Sequence, residues 1–114
     1  MNGYTQDDLI RVRAALTEIA TRRKTITYTD LANRVGLKWD HKNPNDRKLI
    51  GQLLGEVSRQ EYSRGRPLLT AVVVRKGEDM PGPGFRGLEG FPESDEFYET
   101  ELRRVHDFWE WRAS

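Results

Sequence analysis

The chain has 114 residues, 36% of them hydrophobic and 32% charged, and its formal net charge is +1. This length suits one domain spanning residues 1–114 and excludes a catalytic domain followed by a separate substrate domain. The absence of cysteine excludes disulfides and thiolate chemistry, and the two histidines leave little material for a metal site. No apolar run of about 18 residues and no secretory signal is evident, so we expect a cytoplasmic protein without a membrane segment.

The small net charge hides an uneven distribution. Residues 1–76 carry 15 Lys and Arg against 8 Asp and Glu, a balance of +7, whereas residues 77–114 carry 4 against 10, a balance of −6. A basic body can indicate an anionic partner such as nucleic acid. It can equally mean that the two parts neutralise each other in the fold, and the sequence leaves both explanations open.

The first half of the chain predicts two helices. Thr5 followed by Gln-Asp-Asp resembles a capping box, and apolar residues then recur at helical spacing, which predicts a helix from about 6 to 23. Thr27, with an aspartate three residues later, is a second capping signal. The second helix is therefore short, about 28–35, and ends at Gly36.

The second half predicts two more helices with a strand between them. Asn43 precedes a proline and an aspartate, an order typical of a helix start, and an apolar stripe follows over about 45–64. Leu68–Val74 is apolar, rich in β-branched residues and short, so we predict a buried strand. Ser94 opens a long C-terminal helix over about 95–112, with acidic residues near its start.

Between the strand and the last helix lies a segment rich in glycine and proline, which contains "RKGEDMPGPGF". A phosphate-binding P-loop needs Lys-Ser or Lys-Thr after its glycines, and none follows here. We therefore interpret residues 75–92 as a wing or hairpin loop, while a small-molecule or nucleotide sensor that grips its ligand with this loop stays a weaker alternative. The order of elements predicts an α+β fold of winged helix-turn-helix type.

The segment "ITYTDLANRVG" resembles the Y-x-x-L-A-x-x-x-G motif that opens the DNA-binding domain of O6-alkylguanine-DNA alkyltransferases and alkyltransferase-like proteins. "RKLIGQLL", "RPLLTAVVVRKG" and "MPGPGFRG" follow in the order of that family's recognition helix, active-site strand and wing, so the resemblance covers about residues 5–110. The combination of GRPLL, AVVV and GPGF is also similar to small uncharacterised bacterial and phage proteins. That second likeness implies no function.

The resemblance assigns roles to a few residues. Tyr28 matches the family's tyrosine that presses on the phosphate of a flipped nucleotide. Lys48, or Arg47 if the register slips by one, matches the finger that fills the gap in the base stack. Val72 or Val73 stands where the family has its reactive cysteine, so transfer of an alkyl group to this protein is impossible.

The leading hypothesis is a non-enzymatic protein that binds double-stranded DNA, with a regulatory or damage-sensing role and without catalytic residues, cofactor or metal. We expect DNA contacts from Tyr28 and from the cationic residues of the third helix, its exit and the wing: Arg47, Lys48, Arg59, Arg64, Arg66, Arg75, Lys76 and Arg86. A solvated helix face explains several of these cations equally well. Trp39 is either a base-stacking residue or a cover for the core. The alternative is a small protein-interaction module of phage or bacterial origin, without a nucleic-acid role, that uses Trp39 or the C-terminal aromatic Trp111.

Overall fold

The computed structural model describes residues 3–78, 80–82, 85 and 90–113. Within these ranges the elements are α1 (Gln6–Thr21), β1 (Ile26–Thr27), α2 (Tyr28–Val35), α3 (Pro44–Ser63), β2 (Val73–Val74) and α4 (Asp95–Ala113). The structure is mostly helical with a small two-stranded parallel sheet, which is compatible with the predicted α+β class. The four predicted helices are all present, and their ends differ from the predicted ends by two residues or fewer.

The helix starts follow the capping signals in the sequence. The Thr5 hydroxyl accepts a hydrogen bond from Asp8 N at 3.1 Å, and the Asp8 carboxylate accepts one from Thr5 N at 2.9 Å, which completes a capping box. The backbone N–H of Thr5 lowers the pKa of Asp8, because it favours the ionised carboxylate. Thr27 caps α2 by accepting from Asp30 N at 3.2 Å, and Gly36 ends that helix with φ 75°.

Residues 68–74 differ from the predicted strand. Leu69–Val72 form a 3-10 turn, and β2 is the only strand in residues 68–74; it pairs in parallel with β1, with Ile26 opposite Val73. Every residue of 68–74 is buried. A short apolar run is compatible with either a strand or a helical turn, so the surrounding elements decide its conformation.

The core forms where the helices meet this segment. The 3-10 turn contacts α1, α3 and α4, and α1 also packs against α2 and α4. The large side chains that are fully buried there include Leu16, Leu31, Leu53, Leu69 and Val105. None of the helices in the described ranges is both long enough and apolar enough to cross a membrane.

A buried carboxylate joins α1 to α3. The Glu61 side chain has 0% exposure, accepts a hydrogen bond from Arg13 Nε at 2.6 Å and forms a second ion pair with Arg66 Nε. The Arg13 guanidinium also lies 5.7 Å from the centre of the Trp109 ring, which links α4 to the same group. A buried charge is tolerated only when it is paired and hydrogen-bonded, so these contacts are needed together.

We expect Glu61→Ala to lower the free energy of unfolding by about 3 kcal/mol or more, because it leaves two partly buried guanidinium groups without their carboxylate. Chemical denaturation measures this loss. Glu110→Ala removes a carboxylate that is 57% exposed and serves as the control, which should change stability far less. Similar losses for the two variants would contradict a structural role for Glu61.

Candidate nucleic-acid interface

A cleft of about 560 Å³ opens where the β1–α2 junction, the loop after α2 and the residues after β2 meet. Such a volume lies in the range of small-molecule sites, about 300–1,000 Å³. The cleft is lined by two aromatic rings, a histidine, two threonines and three cationic side chains: Tyr28, Trp39, His41, Thr27, Thr29, Arg47, Arg75 and Lys76. Among these described lining residues there is no carboxylate.

The aromatic wall consists of Tyr28 and Trp39. Their rings are stacked, with centroids 6.0 Å apart and planes 24° apart. Trp39 Nε1 donates a hydrogen bond to Thr29 Oγ1 at 3.0 Å, which fixes the orientation of the indole. Trp39 is only partly buried; it packs against the core cluster and also lines the cleft. The two interpretations of Trp39 from the sequence are therefore compatible.

Tyr28 is tied to the glycine-rich segment. Its side chain is buried, and its hydroxyl accepts a hydrogen bond from Gly82 N at 2.8 Å. Burial raises the pKa of Tyr28, so the phenol stays neutral at physiological pH. Accepting this bond uses a lone pair of the hydroxyl oxygen, and the Tyr28 ring forms part of the cleft wall. A contact between Tyr28 and a DNA phosphate stays a prediction.

Gly82 leaves no space for a side chain. A Cβ atom at this position would lie 2.9 Å from the Tyr28 hydroxyl oxygen and 2.9 Å from Arg75 Nε. Both neighbours line the cleft. Gly82 therefore positions one aromatic and one cationic residue of the cleft at the same time.

The cations of the cleft come from two separate parts of the chain. Arg47, in the first turn of α3, donates from Nη1 to the His41 carbonyl at 2.7 Å, which holds the preceding loop against the helix. Arg75 and Lys76 follow β2 directly and are exposed. None of the three is ion-paired with a carboxylate in the part of the chain that the structure describes.

The remaining residues that were predicted to contact DNA lie away from the cleft or outside the described part of the chain. Lys48 is exposed on α3, next to Arg47 but not in the lining. Arg59 and Arg64 lie at the other end of α3, where Arg59 is 3.5 Å from a glutamate one turn earlier. Arg66 is bound to the buried carboxylate of α3 and has only 19% of its side chain exposed. Arg86 lies outside the described residues.

Trp111 belongs to a different surface. It lies near the end of α4 with 74% exposure. Close by in the chain, Trp109 and Arg112 line a second cleft of about 510 Å³ against the last turn of α1. The structure therefore separates the two tryptophans that the sequence grouped as candidates for stacking or interaction.

Few of the described ion pairs join the basic first part of the chain to the acidic second part. Arg23 is 2.8 Å from Asp107 and 3.4 Å from Glu110, and it makes the only ion pairs between residues 1–76 and 77–113 among those described. The acidic half thus neutralises the end of α1. Among the described residues, no carboxylate forms an ion pair with the cations of the cleft.

Several lining residues were not predicted from the sequence as site residues. His41 stands in the unusual run "WDHK", which was the only local signal for it. Thr27 and Thr29 flank Tyr28 and reach the cleft only because β1 pairs with β2. Gly82 gives no signal beyond its place in a glycine-rich segment, because its function depends on a contact across 54 positions of the chain.

Comparisons with known proteins do not place the chain in a family. No protein-family model, no curated protein and no solved structure matches it. A fold alone does not determine a function, so the function must be inferred from the chemistry of the site.

Gly82→Ala should lower the free energy of unfolding by about 1–3 kcal/mol, because the new methyl group overlaps Tyr28 and Arg75. Gly55→Ala is the matched control: this helical glycine is also buried, but its nearest neighbour is the end of the flexible Arg59 side chain at 3.4 Å. At position 55, alanine should raise the free energy of unfolding by up to about 1 kcal/mol, because alanine has a higher helix propensity than glycine. Chemical denaturation of both variants tests this, and equal effects would contradict the close packing at Gly82.

Proposed function

We propose that this is a non-enzymatic DNA-binding protein that holds one unpaired base in the cleft between Trp39 and Arg75. The observation that carries the proposal is the composition of the cleft: stacked aromatic rings beside three cationic side chains, with no carboxylate among the described lining residues. An aromatic face stacks on any base, and Lys and Arg neutralise phosphates. A nucleotide is the common biological ligand that uses both features.

Duplex DNA supplies this nucleotide when α3 lies along a groove. The helix has 20 residues and is therefore about 30 Å long, and its first turn carries Arg47, which also lines the cleft. The helices α1, α2 and α3, followed by β2, support the winged helix-turn-helix interpretation. In that arrangement Arg75 and Lys76 stand at the base of the wing, near the backbone of the same DNA.

An unpaired base is the preferred occupant of the cleft. Removing a base from the duplex costs a few kcal/mol, and the cost is least for a base that is already unpaired or damaged. A damage-sensing role follows, because a lesion such as O6-alkylguanine weakens pairing. The likeness to alkyltransferase-like proteins agrees with this role but does not carry it.

The hydroxyl groups in the cleft favour binding over catalysis. Thr27 Oγ1 accepts from the backbone of α2, and Thr29 Oγ1 accepts from the Trp39 indole. Both oxygens thus have structural partners. Among the described lining residues, no side-chain hydroxyl is hydrogen-bonded to the imidazole of His41, so none is activated as a nucleophile by that ring.

A second candidate function is the binding of a protein partner, and the exposure of Trp111 favours it. This surface is separate from the basic cleft, so the two functions are compatible. A wild-type protein that fails to bind DNA at low salt would leave protein binding as the better explanation of the fold.

Replacing Arg47 and Lys48 together with alanine should weaken binding to every duplex and lower the unfolding temperature only slightly, because both side chains are exposed and the hydrogen bond from Arg47 to the His41 carbonyl lies at the surface. Fluorescence anisotropy at several salt concentrations measures the affinity. The slope of log K against log salt is negative, and its magnitude should decrease by about 2, since each neutralised phosphate contributes about 0.9 to that magnitude. The control Arg22→Ala/Lys24→Ala removes two exposed cations after α1, and its slope should match the wild type. Identical slopes for the two double variants would contradict the proposed interface.

Trp39→Leu should abolish the preference for a duplex with one unpaired base over a fully paired duplex. Base stacking on an aromatic ring contributes about 1–3 kcal/mol, so we expect a wild-type preference of about fivefold or more. Trp39→Phe keeps an aromatic ring and should retain most of the preference for the duplex with an unpaired base. A duplex with one O6-alkylguanine tests the damage-sensing role in the same assay. Equal wild-type affinities for all three duplexes would contradict a base-binding cleft.

A further inference from the structure

A third cleft, of about 590 Å³, lies where the end of α3 meets the first half of α4, and we call it the α3–α4 cleft. Its volume lies in the range of small-molecule sites, about 300–1,000 Å³. The side chains that give it its chemistry are three aromatic rings, two arginines and a glutamate: Tyr62, Phe91, Phe97, Arg66, Arg104 and Glu101. It shares no described lining residue with the basic cleft that we propose for DNA.

Two buried carboxylates hold the arginines of the α3–α4 cleft in place. Gly65 turns the chain after α3 with φ 73°, and Arg66 N then donates to the Glu61 carbonyl at 3.0 Å. This turn brings the Arg66 guanidinium onto the Glu61 carboxylate, which is 0% exposed. One turn apart on α4, Arg104 Nη1 donates to Glu101 Oε1 at 2.6 Å, and the Glu101 side chain is 4% exposed. Both guanidinium groups are therefore positioned before any ligand binds.

The described ion pairs behind the cleft leave an excess of one positive charge. Glu61 is shared by Arg13 and Arg66, whereas Glu101 pairs with Arg104. Three guanidinium groups thus meet two carboxylates. Hydrogen-bond donors are also left over, because a guanidinium has five N–H groups. Arg66 Nη2 is buried without a hydrogen-bond partner, and the Arg104 side chain is 58% exposed. Both the charge and the donors favour one added carboxylate, the group that guanidinium binds in a two-pronged geometry.

The apolar part of the cleft consists of aromatic rings. The Tyr62 ring meets Phe91 edge to face, with centroids 4.9 Å apart, and Phe91 lies 6.1 Å from Phe97. Tyr62 is 62% exposed, and it lies outside the hydrophobic core cluster. A ligand with an aromatic ring covers this exposed surface and adds a ring contact of the same kind.

We propose that the α3–α4 cleft binds a small aromatic monocarboxylate, with its ring against Tyr62 and Phe91 and its carboxylate at Arg104, beside Arg66. A phosphate dianion brings one negative charge more than the ion-pair network lacks. A neutral apolar ligand leaves the remaining guanidinium donors without an acceptor. This inference goes beyond the proposed function and does not depend on DNA binding, because the two clefts have no described residue in common.

Phenylacetate is the probe, because it joins one aromatic ring to one carboxylate. In an NMR titration of the isotope-labelled protein, it should cause saturable shifts at residues 62–66 and 97–104. The expected Kd is about 1 mM or tighter, which lies within the affinity range of a ligand with about ten non-hydrogen atoms. Phenylacetamide has the same shape without the charge, and it should bind about fivefold more weakly or worse, because it loses the charge-assisted hydrogen bonds.

Two variants and a matched control test the residues. Arg104→Gln should weaken phenylacetate binding about fivefold or more, because it removes the exposed guanidinium of the cleft. Arg103→Gln removes the neighbouring cation of α4, which is exposed and outside the cleft lining, and should keep the wild-type Kd. Tyr62→Ser should weaken binding about threefold or more through the lost ring contact. It replaces Arg104→Gln if thermal unfolding shows that the loss of the Glu101 partner destabilises the protein.

Several results would overturn the inference. The first is an absence of saturable shifts up to about 10 mM phenylacetate, about tenfold above the expected Kd. Shifts confined to the basic cleft, or equal affinities for phenylacetate and phenylacetamide, would overturn it as well. So would equal Kd values for the Arg103 and Arg104 variants, or a Tyr62→Ser variant that binds like the wild type. The titration contains no DNA, so its failure leaves the proposed function standing.

Discussion

The cleft depends on the burial of one short stretch of backbone, residues 68–74. Its polar groups have no water to bond with and must find partners inside the protein. Leu68 N donates to Glu101 Oε2 at 2.8 Å, and the hydroxyls of Thr70 and Ser58 are 2.6 Å apart. The remaining part, β2, uses the edge of β1. Because Tyr28 directly follows β1 and Arg75 directly follows β2, this parallel pair brings the aromatic and cationic walls together.

The glycine-rich segment is better explained by this contact than by phosphate binding. Gly82 donates its N–H to Tyr28, and a few residues further on Phe85 is buried. The Phe85 ring lies 5.9 Å from Phe97 and 5.6 Å from Tyr98, both on α4. The segment is thus attached to the cleft at one point and to α4 at another. Its glycine at position 82 is required by lack of space.

The sequence predicted what local interactions determine. The bounds of α2 were predicted correctly because Thr27 and Gly36 act within one helical turn of the residues that they cap. The prediction of a strand over 68–74 was wrong because the surroundings of this segment, not its own sequence pattern, decide between a strand and a 3-10 turn. Arg66 was predicted to contact DNA, but its partner is the buried Glu61, and a basic residue at a helix exit gives no sign of such a partner.

The sequence singled out several residues of the cleft but did not predict that they form one cleft. Tyr28, Trp39 and Arg47 were singled out for different reasons, and the pairing of β1 with β2 was needed to bring them near Arg75. The chain has 19 basic and 18 acidic residues, so carboxylates were available to neutralise the cleft. Some of the described carboxylates pair with other cations instead, at Arg13, Arg23 and Arg34. No carboxylate stands among the described lining residues, so the like charges of the cleft repel each other in the free protein, and an anion that enters the cleft relieves this repulsion. This surface suits the nucleotide site that we propose, because an aromatic ring stacks on a base while neighbouring cations neutralise its phosphate.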